Sequence, residues 1–176
     1  MRALESVHSL WQPSTFVHND LRFDNCLLIG DFATATVKIV DWELAGLGDP
    51  AWDLGCVFAD YLAAWVASMD IVPGPTPDRL ARTAKLPFPR VHKAVRTFWC
   101  EYVTTRGVDV RPANALLDAA IRFTGARLLQ IAYEQNVGRM STAARTILLV
   151  QLASNILVSP DRALESFFNG EADPHH

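Results

Sequence analysis

Short apolar runs fill the first quarter of the chain, and long amphipathic ones fill the remainder. Residues 2–11 read as a helix stopped by Pro13, since proline ends a helical ladder. "TFVH" is then a short β-favouring run, broken by the polar loop "NDLRFDN". "CLLIG" and "TVKIVDW" are two further β-type runs, and the link "GDFATA" between them predicts a hairpin. Residues 15–42 thus form a small β element with acidic loops at its ends. After "GDPAWD" the period changes. Leu116, Ala120, Phe123, Leu128, Ile131 and Ala132 recur at helical spacing, as do Ile147, Val150, Ala153 and Leu157. Helices are expected over 50–69, about 89–106, 112–136 and 140–158, with a last turn in "SPDRALESFF", all packed as a bundle. The stretch "IVPGPTPDRLARTAKLPFPR" holds five prolines and reads as a surface excursion. The tail "GEADPHH" reads as frayed.

Composition narrows the reading. With 176 residues, half of them apolar, the chain is long enough for one hydrophobic core and short for two. A single domain over 1–176 is expected, with a β element at 15–42 and a helical part at 50–168. The net charge of −3 and the scattered Lys and Arg residues argue against nucleic acid as a partner. No run is long and apolar enough to be read as a signal peptide or membrane span, so a cytoplasmic protein with no membrane partner is expected. Cys26, Cys56 and Cys100 are widely spaced in apolar runs, which suits buried free thiols. The tryptophans and phenylalanines at 42, 52, 65, 98 and 99 read as core. His8 and His92 have no partners at metal-ligand spacing.

The chemistry gathers in two blocks. His18, Asp20 and Asn25 stand in the pattern H-x-D-x-x-x-x-N, and Asp41 follows at the end of the run "VKIV". Phosphoryl transfer needs such a set: one carboxylate to take the proton of the attacking hydroxyl, then an amide oxygen and a second carboxylate to hold Mg²⁺ against the phosphates. Hard oxygen donors of this number suit magnesium, which keeps several waters. Read as plain structure, Asp20 and Asp41 are loop acids capping turns, and Asp53 is a carboxylate in the first turn of a helix. Arg22 reads equally as an ion-pair partner of Asp24 or as a bidentate donor to a phosphate or acidic group.

"VHNDLRFDN" followed by "VDWELAGLGDPAWDLG" resembles the aminoglycoside phosphotransferase and choline kinase family, closely over residues 16–56. The resemblance implies a mostly helical α+β fold, the C-terminal lobe of a protein-kinase-like enzyme. It implies an ATP- or GTP-dependent transfer of the γ-phosphoryl group to a hydroxyl of a small molecule. Asp20 is then the catalytic base, with His18 bracing the loop and Arg22 beside it. Asn25 and Asp41 are the magnesium ligands, and Glu43 joins them on the nucleotide side. Asp53 resembles the aspartate that holds the catalytic loop, with Asp49-Pro50 starting its helix. Family members often carry a second histidine and a glycine where this chain has Arg22 and Asp24, so the aminoglycoside itself is not carried over.

A kinase of this class also has a smaller lobe that covers the nucleotide and grips its phosphates with a lysine. The fifteen residues ahead of the first strand residue after them hold neither lysine nor glycine, and Lys38, Lys85 and Lys93 come later. The expectation is a C-terminal lobe only, incomplete alone: either a truncated lobe, or half of a split enzyme completed by an N-terminal lobe in trans or by a homo-oligomer. The alternative is a non-catalytic binding module or accessory subunit that recognises a phosphorylated substrate or a partner protein.

Overall fold

The computed structural model describes residues 7–31, 34–71, 76–137 and 144–169. It is mostly helical, with two small antiparallel sheets. After α1, described over residues 7–10, come the strand β1 (Thr15–Val17), a 3₁₀ turn (Phe23–Asn25), β2 (Cys26–Ile29) and β3 (Thr36–Ile39). A second 3₁₀ turn (Trp42–Leu44) leads into β4 (Gly46–Gly48). The helices are α2 (Pro50–Ala67), α3 (Pro77–Ala81), α4 (Phe88–Arg106), α5 (Val110–Asn136), α6 (Ala144–Val158) and α7 (Pro160–Leu164), the last running into a π turn (Glu165–Asn169). The helix expected over 2–11 is described only in its second half. The tail "GEADPHH" and residues 72–75 of the proline-rich stretch lie outside the described residues, and α3 falls within the rest of that stretch.

The hairpin forms where alternation and turn placed it, pairing Cys26 with Ile39 and Ile29 with Thr36. β4 is a correction. The segment 41–49 reads as loop, yet "GLG" pairs antiparallel with β1, Thr15 opposite Gly48 and Val17 opposite Gly46. Glycines carry no strand preference, so this pairing is set by the partner strand rather than by local sequence. Gly48 is required there: a Cβ would stand 2.3 Å from the Val17 side chain.

The turn into α2 is built by Asp49, whose carboxylate accepts the Ala51 N–H at 2.9 Å as an N-cap, with Pro50 in the first helical position. Its other oxygen accepts the Gln12 N–H at 2.9 Å, tying the lead into β1 to the same helix start. α4 ends on Gly107 in the left-handed conformation. The core lies between α2 and α5, with α4, α6 and the π turn closing it. Phe58, Leu62, Ile121, Leu128 and Leu149 are fully buried, each contributing about 1.5–3 kcal/mol by leaving water. Gly55 lets the two central helices touch. A Cβ there would meet the Phe123 Cβ at 2.8 Å and the Ala120 oxygen and Thr124 nitrogen at 3.0 Å.

Two expectations about burial fail. All three cysteines are free, but only Cys56 is buried, while Cys26 is half-buried and Cys100 is exposed. Trp42 is not core: it is 49% exposed, because it sits on a turn that leaves the β element instead of on a bundle helix. No single helix among the described residues is long and apolar enough to cross a membrane. α6 and the segment after it pass that test only as a pair bent by 108°, and Leu149, Ala153 and Ile156 of α6 are packed inside the bundle.

Candidate functional site

The loop after β1 turns on Asn19, and the segment after β3 turns on Asp41, both left-handed with φ of 66° and 65°. Asn and Asp tolerate this region better than other side-chain-bearing residues. The first turn is held from α2. The two carboxylate oxygens of Asp53 accept the N–H groups of His18 at 2.7 Å and Asn19 at 2.9 Å. The Trp52 indole N–H donates to the Asn19 carbonyl at 2.9 Å, and the Asn19 amide donates to the Leu44 carbonyl at 2.9 Å. Burial pushes the Asp53 carboxyl above its ordinary value, against the two N–H donors that pull it down.

His18 is 2% exposed and joins the two sheets. Its Nε2 lies 2.9 Å from the Val40 carbonyl, and its Nδ1 lies 3.3 Å from the Asp20 N–H. A carbonyl can only accept and an amide can only donate, so the ring is the neutral Nε2–H tautomer. Trp42 covers it, with ring centroids 4.7 Å apart.

Asp20 is therefore presented by a loop fixed from three sides. Asn25, 7% exposed, donates its amide to the Asp20 carbonyl at 2.9 Å and to Asp20 Oδ2 at 3.3 Å. Asp20 Oδ1 faces the Arg127 guanidinium at 3.4 Å, and Arg127 also meets Glu134 at 3.3 Å. Arg22 lies elsewhere on the loop rim, where it pairs with Asp24 at 2.6 Å; that bond raises its already high value. Asp60 of α2 accepts the Phe23 N–H at 2.6 Å and so pins the far side of the loop. Burial raises the Asp60 carboxyl, while the Phe23 N–H, Arg127 and Arg22 pull it down.

Asn25 and Asp41 meet through the hairpin base. The Val40 N–H donates to the Asn25 carbonyl at 2.9 Å, which sets the residue before Asp41 against Asn25. Because the Asn25 amide nitrogen is committed to Asp20, its Oδ1 has no donor among the described residues. The Asp41 carboxylate is exposed and makes no hydrogen bond or ion pair among them. One amide oxygen and one unpaired carboxylate are hard donors that fit a magnesium ion drawing its other ligands from phosphate and water. Among the described residues no three His, Cys, Asp or Glu side chains form a metal-binding group, so the protein alone offers no closed cage. Glu43 is exposed on the 3₁₀ turn beyond Asp41.

The structure thus brings His18, Asp20, Asn25 and the turn at Asp41 together and leaves Arg22 on the rim. Sequence reasoning passed over Arg127 and Asp60. The signal was present: both are charged residues on helical stripes whose neighbours, Phe123, Leu128 and Ile131 or Val57, Phe58 and Leu62, are buried, and a charge in such a position is costly without a partner. Phe16 stacks on Trp42 and stands opposite Leu47, and both are exposed, as is Leu28 of β2. Leu28 is 63%, Phe16 68% and Leu47 72% exposed.

Comparison with known families gives a match. The model of the phosphotransferase enzyme family, APH, matches residues 1–83, the part of the chain that carries both sequence blocks, and agrees with the resemblance drawn from them. No curated protein matches the chain.

Proposed function

We propose that this chain is the catalytic and acceptor-binding lobe of an ATP- or GTP-dependent phosphotransferase of kinase-like fold, acting on a hydroxyl of a small molecule. One observation carries the reading: Asp20 and Asn25 are in hydrogen-bond contact, and the Asn25 carbonyl is bonded to the residue next to Asp41. This puts the backbone carrying Asp41 beside Asn25 and Asp20, which supports reading them as two hard donors and a base in the segment where the family match and the motif agree. Asp20 takes the proton of the acceptor hydroxyl as its oxygen bonds to the γ-phosphorus and the bond to the β–γ bridging oxygen breaks, releasing the nucleoside diphosphate. Magnesium, held by the Asn25 Oδ1 and the Asp41 carboxylate, would offset charge on the phosphates. Glu43 stands near enough in sequence to assist Asp41.

The reading includes a cover for the nucleotide, because such catalysis depends on positioning from both sides. The exposed apolar residues beside the site favour a second reading, a module that binds a partner protein or phosphorylated molecule without turnover. A thermal-shift titration with Mg²⁺·ATP and Mg²⁺·GTP separates the two. Stabilisation that requires magnesium and disappears in Asp41→Ala supports the phosphotransferase; no shift at any magnesium level favours the binding module. In a preparation that transfers phosphate, Asp20→Asn should abolish transfer, and retained turnover would sink the base assignment.

A further inference from the structure

We propose that Arg127 is the positioning residue for Asp20, an arginine that fixes the carboxylate's orientation from inside the helical bundle. The inference rests on the reading of Asp20 as the base and adds a residue 107 positions away to its machinery.

Its geometry does not suit a stabilising ion pair. The Arg127 side chain is 3% exposed, whereas its two partners keep contact with water, Asp20 at 25% and Glu134 at 43%. Both contacts, 3.4 Å and 3.3 Å, are longer than the roughly 2.7–2.9 Å of a strong charge-assisted bond. The Nε atom is buried with no partner among the described residues. A guanidinium taken out of water this completely and repaid this loosely costs the fold free energy. Its position is explained by what it holds. The two oxygens of Asp20 are divided between separate donors, Oδ2 with the Asn25 amide and Oδ1 with Arg127, so turning the carboxylate about its last bond would lose both contacts. Glu134, two turns further along α5, holds the other end of the guanidinium. The close approach at Gly55 brings α5 against α2, and Asp60 on α2 is near enough to interact electrostatically with Arg127.

The Asn25 side-chain amide reports directly on the Asp20 carboxylate it touches, and it needs no turnover. In ¹⁵N-resolved NMR of the full chain, Arg127→Met should move the Asn25 amide signals toward free-amide positions and speed their exchange with solvent. Arg127→Lys should restore them in part. Melting temperature should stay level or rise in Arg127→Met, since the partners left behind can hydrate. If Arg127→Met does not fold, Glu134→Gln replaces it, with a smaller movement of the same signals expected. Unchanged Asn25 signals in a folded variant, or no recovery with lysine, would overturn the inference. In a preparation that turns over, Arg127→Met should lower kcat by about 100-fold with the nucleotide KM little changed, and Arg127→Lys should recover part of that loss. Failure of the base assignment would appear elsewhere, as turnover surviving Asp20→Asn, and failure of the phosphotransferase reading as the absence of any Mg²⁺-nucleotide thermal shift; both would leave the Asn25 measurement intact.

Discussion

At the scale of single residues, the site is governed by half-buried carboxylates that hold backbone rather than substrate. Asp53 receives two N–H groups of the loop, and Asp53→Ala would leave both without acceptors. Each such loss costs roughly 1–3 kcal/mol, so the variant should melt well below the native chain, with the loop signals of His18 and Asn19 the first to change. Asp60 makes a prediction about pH. Burial holds its carboxyl above the ordinary value of 3.8, and a carboxyl raised in the folded state adds stability below that value, which is lost as pH rises through the folded one. The native chain therefore gives up stability on Asp60's account between pH 3 and pH 7, whereas Asp60→Asn does not. The melting temperature of the variant relative to native should be more favourable at pH 7 than at pH 3; a difference equal at both would refute the account. The thiols offer a simpler check. Burial pushes the Cys56 thiol far up and Cys100 is exposed, so a thiol-specific reagent should modify Cys100 promptly and leave Cys56 until the chain unfolds.

At the scale of elements, the site depends on how closely α5 lies against α2. Gly55→Ala would place a methyl against backbone atoms of Ala120 and Thr124, which cannot rotate away. Overpacking of this kind costs about 1–3 kcal/mol, measurable by urea unfolding. It should also withdraw Arg127 from Asp20, so the Asn25 amide signals should move as they do in the Arg127 variants. The helices and the hairpin were legible in the sequence because each rests on a local pattern: apolar residues three and four apart, alternating runs around a polar turn, and a proline after an acidic cap at Asp49-Pro50. β4 was not legible, since two glycines and one leucine acquire strand form only from β1. Trp42 was misplaced for a related reason. Aromatic content says that a ring seeks cover, but only the fold decides that the cover is His18 and a stacked Phe16, with half of the residue left to water.

At the scale of the whole molecule, the first third of the chain supplies the reactive groups and the bundle supplies their restraint. The loop motif could be read from spacing, because base and metal donors lie within 25 residues of one another. Arg127 stood out only as a charge on an apolar stripe; its link to Asp20 could not be read, because that link spans more than half the chain and exists only once two helices have packed. Two exposed apolar pairs, Phe16 opposite Leu47 and Leu28 opposite Val37, favour burial against a partner surface. A dilution series in light scattering should show mass rising with concentration, and the paired variant Leu28→Lys, Val37→Lys should suppress the rise; a monomer at every concentration would remove the expectation. One bond described above has a practical consequence for handling the protein. Because the Val40 N–H closes on the Asn25 carbonyl, the spacing of Asn25 and Asp41 is set at the hairpin's base and not by the length of its far end. Lengthening such a ring costs only about 0.6 kcal/mol per doubling, so a peptide tag or fluorophore carrier spliced in after Gly30 should travel with the site as a reporter without altering its donors.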